Sequence, residues 1–350
     1  MLLIIVSPAH SEDILTCGWN EVRALQINET NTRTLWTWAA INSSLPESFK
    51  PLFGSTSECK PIPGGKVLIT SSIGAVALVD RASSNVLFYA RVPMAHSAEM
   101  LPSNRVVVAS AFETNGNRLV VFNLGVPDVE LFSVPLGGAH GVVWDEQRQI
   151  LWGLSGSALA EYKLTNWNSN PGLVQVSSLS LPDGDGHDLY PVPNSPYLVV
   201  TTALHCWLFN RDTRVFTKHP LLGDIAAVKS ISVHPTSGRI VYVQADGTWW
   251  SEHLRFLSPS NTFDFPGDHF YKARWIPPEV SPQLSILQSS GNMVRVSWAS
   301  TWTNYSLQQN TTYNATNWAA PAEPVSDDGT NKFILVNPSK ARSLYRLLKT

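Results

Sequence analysis

A short pattern that returns every 39 to 47 residues constrains this chain more than any other feature. Each copy opens on a polar residue, runs through a short strand into a turn, and is followed by a second, apolar strand. The copies are Ser57-Glu58-Cys59-Lys60-Pro61-Ile62-Pro63, His96-Ser97-Ala98-Glu99-Met100-Leu101-Pro102, His140-Gly141-Val142-Val143-Trp144-Asp145-Glu146, His187-Asp188-Leu189-Tyr190-Pro191-Val192-Pro193, Lys229-Ser230-Ile231-Ser232-Val233-His234-Pro235 and Tyr271-Lys272-Ala273-Arg274-Trp275-Ile276-Pro277. Their heads lie 39, 44, 47, 42 and 42 residues apart. A period of this length with several short strands per unit marks a β-propeller blade. No blade buries its own faces, so the units must stack around an axis.

Five complete copies follow one another. The first strands of the chain, at 14–18, 22–27 and 34–38, lack an inner strand, while 271–276 is an inner strand with nothing after it. Pairing these two ends completes a sixth blade and removes exposed sheet edges. The expected fold is therefore all-β, a six-bladed propeller over 12–277 closed by its terminal strands. Within it the fifth copy is expected to place strands at 239–244 and 249–254. Middle strands such as Arg105 to Ala109 are apolar on both faces, as strands packed between blades should be, and helical periodicity is absent.

Past Pro277-Pro278 and Ser281-Pro282 the pattern stops, so 278–283 reads as a linker. Alternating strands with Asn/Gly turns such as Ser290-Gly291-Asn292 then predict a small β-sandwich over 284–350. Val294 to Trp298, Tyr305 to Gln308, Asn317-Trp318 and Leu344 to Leu347 resemble the immunoglobulin-like modules appended to many secreted bacterial proteins. That resemblance implies export and association with a surface or polymer. At the other end, 1–11 carry a short apolar core and then Ala9-His10-Ser11, a small-x-small cleavage pattern. We read this as a signal peptide with a truncated start, against the alternative of an apolar leader strand. Sequons at Asn28, Asn42, Asn304, Asn310 and Asn314 fit export from a eukaryotic host.

Charged residues make up 15% of the 350, against roughly 25% in an average soluble protein. The net charge of −2 and the lack of a basic stripe argue against a nucleic-acid partner. No run approaches a membrane span. Cys17, Cys59 and Cys206 are too few and scattered for a disulfide framework and read as small buried hydrophobes. The expected species is a secreted, periplasmic or cell-surface monomer.

Chemistry follows from blade geometry. The loop entering the inner strand and the loop joining the second and third strands share one face, so Ser57, His96, His140, His187, Lys229 and Tyr271 should ring one mouth. Just outside them come Trp19-Asn20-Glu21, Glu113-Thr114-Asn115, His205 and Asp246-Gly247-Thr248. Concave mouths are where such scaffolds place sites. His96, His140 and His187 could bind a divalent metal with open positions, or accept protons without one. They could equally hydrogen-bond their neighbours and lock adjacent blades. Trp19, Trp249 and Trp250 could stack on sugar rings, or pack between blades. Lys229, Lys272 and Arg274 could hold a substrate carboxylate, or bridge to Glu21, Glu58 or Asp188. His234 reads as exposed and inert; His219, His253 and His269 are assigned no role.

Cys17-Gly18-Trp19-Asn20-Glu21-Val22, His96-Ser97-Ala98-Glu99 and Gly186-His187-Asp188-Leu189 resemble segments of a family of secreted bacterial six-bladed propellers with no settled activity. In architecture alone the chain is similar to the seven-bladed propeller polysaccharide lyases acting on oligogalacturonate and ulvan. Their catalytic and metal-ligating histidines sit on inner strands around the mouth, which is analogy and not alignment. The expected function is binding, and in an enzymatic version β-elimination, of an acidic poly- or oligosaccharide. His140, His187, Lys229 and Tyr271 would do the chemistry; Trp19, Glu21, Glu58, Glu99, Asp188, His205, Lys272 and Arg274 would hold the substrate. The alternative is a binding scaffold whose polar ring is structural.

Overall fold

The computed structural model describes residues 12–246, 248–278, 284–289, 291, 293–300, 302, 305–310, 317–337 and 343–349. The expected signal peptide at 1–11 and most of the linker lie outside these, as do the sequons at Asn304 and Asn314. The chain divides into two compact units at Pro278.

The described residues of the first unit are all-β apart from two 3-10 turns, Ala40–Asn42 and Lys50–Phe53. Its opening strands β1 (Glu12–Cys17), β2 (Glu21–Ile27) and β3 (Thr32–Ala39) are followed by four strands forming the next sheet: β4 (Thr56–Ile62), β5 (Lys66–Ser71), β6 (Ala75–Asp80) and β7 (Val86–Arg91). The same meander recurs as β8 (Ala95–Leu101), β9 (Arg105–Ser110), β10 (Arg118–Asn123) and β11 (Glu130–Pro135). It recurs again as β12 (Gly141–Asp145), β13 (Ile150–Leu154), β14 (Ala158–Thr165) and β15 (Gly172–Ser180), then as β16 (Asp188–Pro191), β17 (Tyr197–Thr201), β18 (Cys206–Asn210) and β19 (Val215–Lys218). The last is β20 (Val228–Val233), β21 (Ile240–Gln244), β22 (His253–Leu257) and β23 (Asn261–Asp264), after which comes β24 (Lys272–Trp275). β24 pairs antiparallel with β1, Ile14 opposite Trp275 and Cys17 opposite Lys272, so the described residues of this unit form six four-stranded antiparallel sheets.

Each sheet is buried on both faces, which is why the middle strands are apolar throughout. On β5, Val67 and Ile69 join a core with Leu15, Val22 and Trp38 of the first sheet, while Leu68 faces Ala98, Val106 and Val120 of the third. The same sharing continues sheet by sheet until Val241, Leu254 and Phe256 meet Ile14, Leu25 and Trp275 of the first sheet. Burying a Val, Leu or Phe stabilises by about 1.5–3 kcal/mol, so these intersheet layers hold the unit together. Outermost strands such as β15, mostly exposed or half-buried with only Leu173 buried, face solvent. The first strands of the sheets touch in order, β4 to β8, β12, β16, β20, β24 and back to β4. Cys17, Cys59 and Cys206 lie on strands and are buried free thiols.

Two local expectations need correcting. The strand expected at 249–254 is β22, His253–Leu257, and Trp249 and Trp250 belong to the loop before it. That loop is closed by Asp246, whose N–H donates to Trp250 O at 3.0 Å and whose carboxylate takes the Ser251 hydroxyl and Arg255. His234 is buried, not exposed: its Nδ1 accepts from Ser237 N at 3.0 Å and its ring packs edge-on to Trp275 at 5.1 Å.

In the second unit, β25 (Ser285–Gln288), β26 (Val294–Ala299), β29 (Asn331–Val336) and β28 (Ser326–Asp327) form one antiparallel sheet, and β27 (Tyr305–Asn310) pairs with β30 (Leu344–Lys349). Val296, Trp298 and Ile334 of the first sheet share a core with Leu307, Tyr345 and Leu347 of the pair.

Candidate functional site

The inner strands bring the repeat heads together. The rings of His96 and His140 stack at 4.4 Å and 18° between planes, and His187 meets His140 edge-on at 5.9 Å. Tyr271 lies 6.2 Å from His96, and Lys229 Nζ reaches His187 Nε2 at 3.0 Å. Five of the six expected head residues are thus one cluster. Ser57, the sixth, is buried and accepts from Ser72 N.

Hydrogen bonding fixes the tautomer of His140. His140 Nδ1 faces the Gly138 carbonyl at 2.9 Å, so it carries the proton and leaves Nε2 as a lone pair. His187 Nε2 lies 3.0 Å from Lys229 Nζ and 3.5 Å from Asp185 Oδ2, and its Nδ1 is buried without a hydrogen-bond partner, as is His96 Nδ1. Burial lowers all three imidazole pKa values, His187 to about 4, with Lys229 adding to the effect there and His140 and Lys272 at His96. They are neutral at pH 7. Burial pushes the Tyr271 hydroxyl up to about 12, which keeps its proton in place, and lowers Lys229.

Directly beneath lies a different tier. Arg274 donates to both oxygens of Glu58 and to both of Asp188, and Lys272 bridges the same two carboxylates at 3.3 and 2.9 Å. All four side chains are essentially inaccessible. Burial would neutralise both acids, but Arg274 and Lys272 outweigh it and hold Glu58 and Asp188 below the usual carboxylate range. Burial likewise works against Lys272 and Arg274, and the two carboxylates hold both pKa values up. Arg274 also lies 4.0 Å over the Tyr190 ring. Lys60 pairs with Glu99 at 2.9 Å and donates to Val142 O. Glu58, Asp188, Glu99, Lys272 and Arg274, expected to hold substrate, therefore hold one another or Lys60 instead. Three acids meet three bases, so this tier is neutral.

Lys229 is the exception. The residue is only 8% exposed, yet among the described residues no carboxylate lies within ion-pair distance of its Nζ. Asp185, which pulls on it electrostatically, sits on the exposed loop before His187 with its Oδ2 3.5 Å from His187 Nε2, the atom that Lys229 touches. A buried ammonium without a counterion is costly.

Trp19 and Trp249 stand at the rim, 47% and 37% exposed, and their ring planes differ by 10°. Trp249 touches Tyr271 at 5.9 Å, linking the rim to the cluster. His269, assigned nothing from sequence, stacks on Trp19 at 4.6 Å and meets Trp250 at 3.8 Å. Phe112 packs against His140 at 5.3 Å, the rings tilted by 58°. Glu21 does not face this cluster freely: it is paired with Arg23, which also holds Asp268. His205 is elsewhere, bound through Nδ1 to Asp183 at 3.0 Å beside Trp207. Gly18 explains the approach of the rim segments. A Cβ there would overlap His269 O and lie 2.5 Å from Tyr271 N, whose N–H donates to Cys17 O.

As for a metal, among the described residues no group of three His, Cys, Asp or Glu is arranged to hold one. His96 and His140 face each other ring on ring, and His187 offers its Nε2 to an ammonium that would repel a cation. The rings of the expected His96, His140 and His187 set pack against one another at this mouth. Nor does any helix reach the length and apolarity needed to cross a membrane, among the described residues.

A sequence model described as a family of unknown function, DUF6528, matches residues 12–281. Among curated proteins no relative matches. Among solved structures, a chain of a nidogen/laminin complex is similar with a TM-score of 0.52 and 12% identity, covering 75% of this chain and 98% of that one. At that identity the likeness speaks to a propeller-like all-β fold alone.

Proposed function

We propose, for a chain that belongs to the family of unknown function DUF6528, an exported six-bladed propeller that binds an anionic sugar at the mouth formed by His96, His140, His187, Lys229 and Tyr271. Six sheets whose first strands touch in a ring, with β24 paired to β1, support the blade count and its closure. The observation that carries the function is Lys229: a buried ammonium without a carboxylate partner, above a tier whose charges cancel. A ligand carboxylate supplies the missing counterion through a charge-assisted hydrogen bond. Trp19 and Trp249 offer exposed indole faces at the same rim, which suits the C–H face of a pyranose. A uronate has both features.

The same groups suit β-elimination. With the uronate carboxylate on Lys229, the C5–H acidity rises as charge spreads into the carboxylate. His140 Nε2 takes the C5 proton, the C5 electron pair forms the C4–C5 double bond, and the C4–O bond breaks. The leaving oxygen takes the Tyr271 hydroxyl proton, and solvent returns a proton from His140 to Tyr271. A binding protein without turnover is the second reading, favoured by the burial that lowers the His140 pKa and so weakens the base that would take the C5 proton. Incubation with uronate polymers separates the two: an ultraviolet-absorbing unsaturated product that disappears in Tyr271→Phe marks a lyase. Saturable binding without product marks a lectin, and neither result in a broad uronate panel would remove the proposal.

A further inference from the structure

Beside the mouth opens a cleft of about 190 Å3, lined by the Cys17–Glu21 turn, Arg23 and the segment from Gly267 to Phe270. None of the five clustered head residues lines it. Its walls carry the Trp19 indole, backed by His269, and one guanidinium gripped by two carboxylates: Arg23 binds Glu21 and donates to Asp268 at 2.6 and 2.9 Å. Two carboxylates against one guanidinium leave the cleft with one negative charge, opposite in sign to Lys229. The cleft and the mouth are joined by rings, Trp19 to Trp249 to Tyr271 to His96, each centroid within 6.2 Å of the next.

A second carboxylate would be repelled here. A neutral pyranose would lay its C–H face on an indole and offer hydroxyls to carboxylate acceptors and guanidinium donors. We infer that this cleft is an outer subsite for a neutral sugar ring next to the charged one, so that the ligand is a mixed saccharide, a uronate linked to an uncharged sugar. The inference rests on the reading that Lys229 takes the uronate carboxylate.

Calorimetric titration with glucuronic acid, glucuronosyl-glucose and diglucuronic acid tests it, with galacturonic acid, galacturonosyl-rhamnose and digalacturonic acid as a second series. The expected result is that a mixed disaccharide binds about tenfold or more tighter than either its monomer or the diuronate. Asp268→Asn should erase that gain and leave monomer affinity unchanged, and Trp19→Ala should erase it while also weakening the monomer, with unaltered thermal midpoints showing intact folding. Equal affinity for monomer and mixed disaccharide, or a gain that survives both substitutions, overturns the subsite and leaves the Lys229 site standing. Wild-type protein that binds no uronate of any length overturns both.

Discussion

Lys229 Nζ lies 3.0 Å from His187 Nε2, so a buried ammonium donates to a neutral imidazole where a carboxylate would be expected. The charges of the tier beneath are matched, Arg274 and Lys272 by Glu58 and Asp188, Lys60 by Glu99, while the Asp185 carboxylate lies 3.5 Å from the same His187 Nε2. The residue left over points to the charge of the ligand.

Acid should weaken the fold in two steps. The folded pKa of His187, about 4, lies below the ordinary 6.5, so between these values the unfolded chain binds a proton that the folded one does not. Stability therefore falls as pH drops from 6.5 toward 4, by on the order of 3 kcal/mol at most from this residue. Below about 4, Glu58 and Asp188 take over: their depressed folded values mean that stability present above the unfolded pKa is lost as they protonate. Urea midpoints measured from pH 7 to 4.5 should decline, and His187→Asn should lessen that decline, leaving the part that the depressed His96 and His140 contribute. A pH-independent midpoint over this range contradicts the assignment.

Arg274→Met leaves two carboxylates facing one ammonium in an inaccessible tier. Removing one member of a buried ionic set costs about 3–5 kcal/mol, and chemical denaturation should show a loss of that size. A loss below about 1 kcal/mol, the range of exposed ion pairs, would mean that water reaches the tier.

Gly18→Ala places a methyl group against the His269 carbonyl and the Tyr271 amide. The strand approach must open, at a cost of about 1–3 kcal/mol typical of overpacking. Uronate affinity should fall with it, because Trp19 and Tyr271 are carried by the displaced segments. Unchanged stability and affinity in Gly18→Ala would show that the two segments part freely.

Much of this was legible in the chain itself. The spacing of the heads set His96, His140, His187, Lys229 and Tyr271 at equivalent strand ends, and they do meet. What the spacing does not carry is side-chain reach. Glu58 and Asp188 follow a head by one residue, and Lys272 and Arg274 by one and three, so the pattern offered them as ligand contacts. Only coordinates show that they saturate one another below the mouth. The pattern puts Trp249 in a strand because an apolar pair before Ser251 looks like strand, whereas Asp246 folds it into a loop. His269 was missed although a signal existed: pairing Cys17 with Lys272 necessarily brings the residues before Tyr271 against Gly18 and Trp19.

Titration of the wild type, Lys229→Arg and Lys229→Met with glucuronate and galacturonate saccharides at pH 7 tests the anion site most directly. Saturable binding should persist in Lys229→Arg and weaken by about tenfold or more in Lys229→Met, with folding intact, since a charge-assisted bond contributes about 1.5–3 kcal/mol. A Lys229→Met protein that titrates like the wild type would contradict the account.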